Sequence, residues 1–256
     1  MIPIPNGSAR SSRARASKRA ASVSAVAVFA RVPAPEKVKT RLIPLLGAAG
    51  AAGLHAALLQ DTLHKVSPFR ASAARYLYLQ GSRHFLAPAG YKIAPQRGAD
   101  LGARLGHAFE QLLKRHVSAI VIGTDSPLLP VRALGTALGE LRVCDAVLGP
   151  CPDGGYYLLG LRRYEGGLLR GIRWGTRFAF RDTLRNLLRR QYCCSILEPC
   201  PDVDRPHDVL NLRERLSRDA AARRLAPATW RFLRAWTGTN LTPDQKYCTA
   251  VSSARG

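Results

Sequence analysis

The sequence predicts a three-layer α/β sandwich with a mainly parallel central sheet. Strand-like and helix-like segments alternate from residue 23 to about residue 148, which is the pattern of a parallel sheet covered by helices. In addition, residues 119–123 (AIVIG) form a short, solidly apolar run with β-branched side chains at its centre. Such a run is typical of a strand that is buried on both faces.

The predicted elements follow the order of the chain. We expect strands at residues 23–29, 76–79, 92–95, 119–123, 145–148 and 156–161, and another near 192–197. The strand at 156–161 follows a sharp turn, so its direction can be antiparallel. We expect helices at residues 47–66, from about 102 to 112, at 131–142, from about 176 to 190, from about 206 onward and at 229–236. The predicted organisation is a basic, disordered tail at residues 1–22, one domain at residues 23–236 and a loose tail at residues 237–256.

The composition indicates a globular protein with an unusual excess of positive charge. The 39 Lys and Arg residues against 17 Asp and Glu residues give a net charge of +22, a field that favours anionic substrates and polyanions. Because no long basic stripe interleaved with aromatic residues occurs, a nucleic-acid partner is disfavoured. No uninterrupted apolar run approaches ~20 residues, so no membrane span is expected. The six cysteines show no CxxC pair, which favours reduced thiols and a cytoplasmic location.

A single carboxylate, Asp125, follows the most apolar run in the segment Thr124-Asp125-Ser126-Pro127. Ligands of open α/β sheets bind at the carboxyl ends of the strands. Our hypothesis is that Asp125 binds a divalent metal, which in turn holds the phosphates of a nucleotide substrate. The alternative is that Asp125 caps the following helix, since Asp-Ser-Pro also suits a helix N-terminus.

Other charged side chains are expected at the same edge of the sheet. If the strands are parallel, their carboxyl ends lie together, and the residues that converge there are Lys37, Lys39, Arg41, Asp100, Asp125 and Asp153. Cations neutralise phosphate oxygens, and a carboxylate suits Mg²⁺ or Mn²⁺. Arg41 can contact two phosphate oxygens at once, whereas Lys39 acts as a point charge. The alternative for both is a solvated surface loop.

Several common motifs are missing from the sequence. There is no GxGxxG after the first strand and no GxxxxGK[ST], so the dinucleotide fingerprint and the P-loop are both absent. HExxH and GxSxG are also absent, which weakens the metalloprotease and α/β-hydrolase interpretations.

An ordered set of motifs resembles a known family. Residues 29–42, FARVPAPEKVKTRL, resemble the opening of small bacterial glycosyltransferase-like proteins of the GT-A nucleotide-diphospho-sugar transferase superfamily, some of them labelled radical-SAM- or arsenosugar-associated. The resemblance continues through QRGADLG (96–102), GTDSP (123–127), LGP (148–150), DGGYYLLGL (153–161), IRWGT (172–176) and DVDRPHD (202–208). More distantly, the chain is similar to phospholactate and molybdenum-cofactor guanylyltransferases.

This resemblance implies a GT-A domain that binds a nucleotide or nucleotide-sugar through a divalent metal. It implies the following roles: Asp125 as a metal ligand, Lys37, Lys39 and Arg41 at phosphate, Gln96, Asp100 and Gly102 near base and ribose, Asp153, Gly154 and Gly155 on the acceptor side, and Asp202 or, as our first choice, Asp204 as a second metal ligand. One departure is Glu36, which stands where the family often has a glycine.

We therefore expect a metal-dependent enzyme that transfers a glycosyl group from a nucleotide-diphospho-sugar, with Mg²⁺ or Mn²⁺ as cofactor and Asp153 as the base. The first alternative is a nucleotidyltransferase that uses a nucleoside triphosphate and releases pyrophosphate. The second is a nucleic-acid-binding or scaffold protein with a degenerate transferase fold. The base, the sugar and the acceptor are left open by the sequence.

Overall fold

The computed structural model describes residues 23–81 and 88–237. The strands are β1 (Ser24–Arg31), β2 (Ala73–Gln80), β3 (Lys92–Pro95), β4 (Ala119–Ile122), β5 (Ala146–Pro150), β6 (Tyr156–Leu161) and β7 (Cys194–Ile196). The helices are α1 (Ile43–Val66), α2 (Leu101–Leu113), α3 (Val131–Glu140), α4 (Ala179–Arg189), α5 (Pro206–Arg218), α6 (Ala220–Leu225) and α7 (Pro227–Ala235). The predicted tails at 1–22 and 237–256 lie outside the described residues, apart from residue 237.

The seven strands form one sheet in the order β3-β2-β1-β4-β6-β5-β7. All neighbouring pairs are parallel except those of β6, which runs antiparallel to both β4 and β5. Six strands therefore point the same way, and the carboxyl ends of β1, β4, β5 and β7 lie at one edge. The expected α/β class with a mainly parallel sheet is confirmed, including the antiparallel strand at residues 156–161.

Two apolar layers cover the two faces of the sheet. Val26 and Val28 of β1 face a cluster that includes leucines of α1 and α3, while Ala25 and Ala27 face a second cluster with α2 and α4. This period-two alternation is what a strand buried on both sides requires. The third apolar cluster joins the start of α1 to α5 and α7, so the C-terminal helices complete the domain on one flank.

The first helix is longer than the sequence predicts. It begins at Ile43 rather than at residue 47, and Gly47 interrupts it with φ 70° and ψ 166°. The glycine at this point explains the error, because a backbone conformation that favours glycine breaks the helical periodicity there. Smaller differences concern α3, which ends at Glu140, and α4, which begins at Ala179.

The helical segment Thr40–Ala71 also has the length and composition of a membrane-crossing helix, although no apolar run in the sequence suggested one. Within its most apolar window, 56% is buried inside the protein. Leu59 and Leu63 pack on the sheet, and Leu45 and Leu54 pack on the C-terminal helices. The segment thus contacts the core on two sides along its length.

A buried carboxylate attaches the last helix to the first. Asp61 of α1 is 1% exposed, and its two oxygens accept hydrogen bonds from the backbone N–H groups of Ala228 at 2.8 Å and Thr229 at 2.9 Å. These N–H groups belong to the first turn of α7 and have no partner within that helix. The negative charge also faces the positive end of the helix dipole.

We predict that Asp61→Ala lowers the free energy of unfolding by about 2–4 kcal/mol, because two buried N–H groups lose their acceptor. The buried Lys65, whose pKa is lowered by burial and raised by Asp61, loses a compensating charge as well. Urea denaturation measures the change. Glu110→Ala, an exposed position in α2, is the control, for which we expect a change within ~0.5 kcal/mol. Equal effects for the two variants would contradict the proposed attachment.

Candidate functional site

The candidate site lies where the carboxyl ends of four strands meet. The loop after β1 carries Lys39 and Arg41, and the loop after β4 carries Asp125. The turn after β5 carries Asp153, and the segment after β7 carries Asp202 and Asp204. These residues are far apart in the chain but come from strands that point the same way, so the topology brings their loops to one edge of the sheet.

A buried lysine connects three of these loops. The Lys39 ammonium lies 2.8 Å from Asp125 Oδ1, donates a hydrogen bond of 2.6 Å to the carbonyl of Val203 and lies 3.7 Å from Asp204 Oδ1. The Lys39 side chain is only 4% exposed. The N–H of Val203 donates to the backbone carbonyl of Asp125 at 2.8 Å, so both polar groups of the Val203 peptide are bound at the site. The loops after β1, β4 and β7 are thereby held together.

Asp125 keeps accessible acceptor capacity despite this pairing. Burial raises its pKa, but the Lys39 ammonium outweighs that effect and the net pKa lies below the ordinary value. Lys39 and Thr124 both contact Oδ1, and within the described residues Oδ2 takes no hydrogen bond or ion pair. The side chain is 46% exposed. Asp125 is therefore an ionised carboxylate with one oxygen free for a ligand.

Asp204 is engaged with cations on the protein itself. It forms an ion pair with Arg41 and lies near Lys39. The Arg41 side chain is 59% exposed, so part of its guanidinium remains open to a ligand. Lys37 is exposed and has no ion pair in the part of the chain that the structure describes.

A tight turn places Asp153 beside this group. The N–H of Cys151 donates to the carbonyl of Gly155, and Asp153 Oδ1 accepts from the N–H of Gly155 at 2.8 Å. Gly154 has φ 91°, and a Cβ there would lie 2.1 Å from the carbonyl oxygen of Arg177. Only glycine fits at this position, because both the backbone conformation and the close approach exclude a side chain.

Asp153, Asp202 and Cys151 form a cluster of possible metal ligands. Their ligand atoms lie within 4.8 Å of one another. Burial, followed by the charges of Asp153 and Asp125, raises the pKa of Asp202 to about 6. Burial raises the pKa of the Cys151 thiol, with Asp202 and Asp153 adding to the effect, so the thiol stays protonated at neutral pH. The acidic residues of this edge repel each other, and a cation would relieve that repulsion.

The residues predicted near the base and ribose have structural contacts. The Gln96 side-chain amide donates to the carbonyls of Ala30 and Tyr78, at the ends of β1 and β2. Asp100 caps α2 by accepting from the N–H of Ala103 at 2.8 Å. Gly102 lies so close to Trp174 and Leu169 that a Cβ would clash. Their proposed roles toward the substrate remain predictions.

The sequence reasoning missed Cys151. No spacing between cysteine, histidine and acidic residues pointed to it, and only the bend at residues 151–155 brings its sulfur near Asp153 and Asp202. Glu36, the departure from the family pattern, adopts φ 63°, which is the left-handed conformation that glycine favours. The first loop therefore keeps a glycine-like shape at a position that is occupied by a glutamate.

Comparisons with known proteins place the chain in a family. Residues 60–176 match the family described as "Uncharacterized protein conserved in bacteria (DUF2064)". A protein from Desulfovibrio desulfuricans G20, whose name assigns it provisionally to the nucleotide-diphospho-sugar transferases, is 32% identical. The match covers 82% of this chain and 94% of that protein, with a TM-score of 0.74. No protein of curated function matches the sequence.

More distant structures share the fold alone. CMP:2-keto-3-deoxy-manno-octonic acid synthetase in complex with CTP is 13% identical, with a TM-score of 0.51 over 77% of this chain and 99% of the synthetase. 4-Diphosphocytidyl-2C-methyl-D-erythritol synthase from Anaerococcus prevotii DSM 20548 is 8% identical, with a TM-score of 0.52 over 77% of this chain and 99% of that protein.

The 32% identity to the Desulfovibrio protein along nearly its whole length, together with the family match, shows that the chain belongs to the DUF2064 family and has the fold of the nucleotide-diphospho-sugar transferases.

Proposed function

We propose that the protein is a metal-dependent glycosyltransferase that uses a nucleotide-diphospho-sugar as donor. The observation that carries the proposal is the meeting of Asp125, Asp153 and Asp202 at one edge of the sheet, beside the partly exposed Arg41. The name of the Desulfovibrio relative supports the same class of donor. Family membership indicates a glycosyl- or nucleotidyltransferase and speaks against a scaffold role.

The side chains at this edge fit a hard divalent cation. Among the residues that the structure describes, Asp125 Oδ2 has no partner. Asp202 lies near Asp125 and Asp153, and burial and these charges raise its pKa. Mg²⁺ and Mn²⁺ prefer carboxylate oxygens, whereas the protonated thiol of Cys151 suits them poorly. We propose Asp125 and Asp202 as the ligands. Asp202 replaces Asp204, our first choice from sequence, because Asp204 already pairs with Arg41.

Arg41 and Lys39 have different roles in this proposal. The exposed guanidinium of Arg41 can contact the donor diphosphate with two N–H groups, which stabilises the charge that develops as the nucleoside diphosphate leaves. Lys39 is engaged with Asp125, Asp204 and Val203, so its main role is to position the Asp125 carboxylate. The divalent metal, when bound, would neutralise the diphosphate and so improve it as a leaving group.

Asp153 is the proposed base. It is exposed, and it lies on a turn that Gly154 allows to approach Arg177 closely. Its carboxylate would accept the proton of the acceptor hydroxyl as that oxygen attacks the anomeric carbon of the sugar.

A cavity of about 240 Å³ also opens beside Asp202 and is lined in part by Asn211 and Arg215.

The second candidate function is nucleotidyl transfer, in which a substrate phosphate attacks the α-phosphate of a nucleoside triphosphate and pyrophosphate leaves. The fold shared with a synthetase in complex with CTP favours keeping this alternative. The same edge of the sheet would serve both reactions, since each needs a metal and cations at a diphosphate.

We predict that Asp125→Asn and Asp202→Asn each abolish the Mn²⁺-dependent binding of nucleotide-sugars. Thermal shifts with a panel of nucleotide-sugars, with and without Mn²⁺, measure this binding; a ligand at 100 times its dissociation constant stabilises the wild-type protein by about 2.7 kcal/mol. Glu140→Gln, at the C-terminal end of α3, is the control that should bind normally. Wild-type affinity in the Asp125 and Asp202 variants would contradict the metal assignment.

Asp125→Asn and Asp202→Asn should differ in their effect on the free energy of unfolding of the metal-free protein. Asp125→Asn removes the ion-pair partner of a lysine that is 4% exposed, so we expect a loss of about 1–3 kcal/mol. Asp202→Asn removes a carboxylate whose ionisation is unfavourable in the folded state, so we expect no loss, or a gain, at pH 7. Urea denaturation in EDTA measures both. Equal destabilisation by the two substitutions would contradict the described surroundings of Asp125 and Asp202.

The effect of Asp202→Asn should also depend on pH. The folded pKa of Asp202, about 6, lies above the ordinary value of 3.8, so the folded protein binds this proton more tightly than the unfolded chain. The stabilisation that comes from the protonated form is present below about pH 4 and is lost as the pH rises through 6. The half-buried position reduces the effect to about 1–2 kcal/mol. Denaturation of both proteins at pH 4, 6 and 8 tests this, and a constant difference would contradict it.

The products separate the two reactions. Incubation of the protein with Mn²⁺, candidate donors and an acceptor library should release nucleoside diphosphate, which coupled enzymatic assays detect. Asp153→Asn should lower this release at least 100-fold while leaving donor binding in place. Release of pyrophosphate from nucleoside triphosphates would instead establish nucleotidyl transfer.

A further inference from the structure

A group of arginines surrounds one aromatic ring near the proposed site. The guanidinium carbons of Arg173, Arg177 and Arg181 lie 4.0, 5.1 and 4.8 Å from the ring centroid of Phe178. All three arginines are exposed, and Phe178 is partly buried just before α4. A shared ring holds the three cations in a defined arrangement, which separates this group from arginines scattered over a basic surface.

In the described part of the chain, two of these guanidinium groups have no carboxylate partner. Arg173 forms two hydrogen bonds of 2.8 Å with Asp182, which is also 3.3 Å from Arg185. Within the described residues, Arg177 and Arg181 form no ion pair and donate no side-chain hydrogen bond. A guanidinium that lies over an aromatic ring is attracted through its positive charge, and this contact does not use up its N–H donors. The pair thus offers two unneutralised positive charges.

The backbone connects this pair directly to the Asp153 turn. The carbonyl oxygen of Arg177 lies where a Cβ on Gly154 would be, and the N–H of Phe180 donates to the carbonyl of Gly154 at 2.9 Å. Gly154 is adjacent to Asp153, the proposed base. The main chain from Arg177 to Phe180 therefore packs against the turn that carries Asp153, so both arginines lie in a segment that borders the proposed acceptor side of the site.

We propose that Arg177 and Arg181 form a phosphate-binding subsite for the acceptor, so that the acceptor is a phosphorylated molecule. This inference rests on the proposed function, since it assigns a substrate class to the same site. Two guanidinium groups match the charge of a phosphate monoester, and each can donate two N–H groups to its oxygens. Phe178 orders both side chains before the ligand arrives, which lowers the entropy lost on binding.

The competing explanation is a surface for nucleic acid, which the net charge of +22 also allows. The placement favours the acceptor subsite, because the segment that carries the two arginines packs against the Asp153 turn. Single-stranded nucleic-acid surfaces combine a basic groove with several aromatic side chains that stack on successive bases. Here the single ring, Phe178, is already covered by guanidinium groups.

The test is isothermal titration calorimetry with inorganic phosphate, in EDTA and at a constant ionic strength set by chloride. We compare wild type, Arg177→Gln/Arg181→Gln and a control with the same charge change, Arg189→Gln/Arg224→Gln, at exposed positions away from the ring. We expect phosphate affinity to fall at least tenfold in the first variant and to stay within twofold in the control. Equal affinities in all three proteins, or equal losses in both variants, would overturn the proposal.

A charge-conserving variant distinguishes a loss of phosphate binding from a folding defect. Arg177→Lys/Arg181→Lys should recover part of the phosphate affinity and should melt at the wild-type temperature. No recovery, together with a lowered melting temperature, would show that the arginines only support the local structure and would overturn the proposal. The proposal would also be overturned if Arg177→Gln/Arg181→Gln bound phosphate normally but lost a steeply salt-dependent affinity for a 20-nucleotide single-stranded DNA.

The donor site is tested separately in the same set of proteins. Asp125→Asn should bind inorganic phosphate like wild type, because the subsite needs no metal. Phosphate binding lost in Asp125→Asn to the same extent as in the arginine variant would place the anion at the donor site and overturn the subsite. Normal Mn²⁺-dependent nucleotide-sugar binding by Asp125→Asn would overturn the proposed function instead, while leaving the anion site itself in place.

Discussion

The ion pair between Lys39 and Asp125 is the interaction on which the arrangement of the site depends. An ammonium group that is 4% exposed is tolerated only when acceptors replace its lost hydration. Asp125, Asp204 and the carbonyl of Val203 supply those acceptors from the loops after β4 and β7. Because the acceptors come from different loops, burying one lysine fixes the relative positions of all of them.

The same arrangement carries an electrostatic cost that is consistent with a cation-binding role. Burial, together with the nearby charges of Asp153 and Asp125, raises the pKa of Asp202 to about 6. A protein selected for stability alone would gain from replacing one of these carboxylates with a neutral residue. Lys39 lowers the pKa of both Asp125 and Asp202, but it offsets only part of the effect at Asp202, whose pKa stays above the ordinary value. Stability and the proposed function therefore make opposite demands at Asp202, whereas both require Lys39 and Asp125.

Most of the fold could be predicted from local patterns, but the division of roles among the site residues could not. The run AIVI of β4 and the abrupt change at Asp125 identified the central strand and its functional end. Asp202 and Asp204, however, have equivalent surroundings in the sequence, and only the structure shows that Asp204 pairs with Arg41 while Asp202 lies beside Asp153. Lys39 likewise is predicted from sequence to bind phosphate, whereas the structure shows its ammonium group beside Asp125, Asp204 and the carbonyl of Val203.

By itself, the sequence determined the α/β class, the seven strands and the set of charged residues that follow them, because burial on both faces, turn chemistry and strand direction are encoded over short stretches. Only the tertiary structure decided which of the charged side chains contact one another. That choice depends on contacts between loops separated by up to 164 residues, as for Lys39 and Val203, and on the approach of Arg177 to Gly154. Such pairings arise from the packing of whole layers, so no local pattern records them.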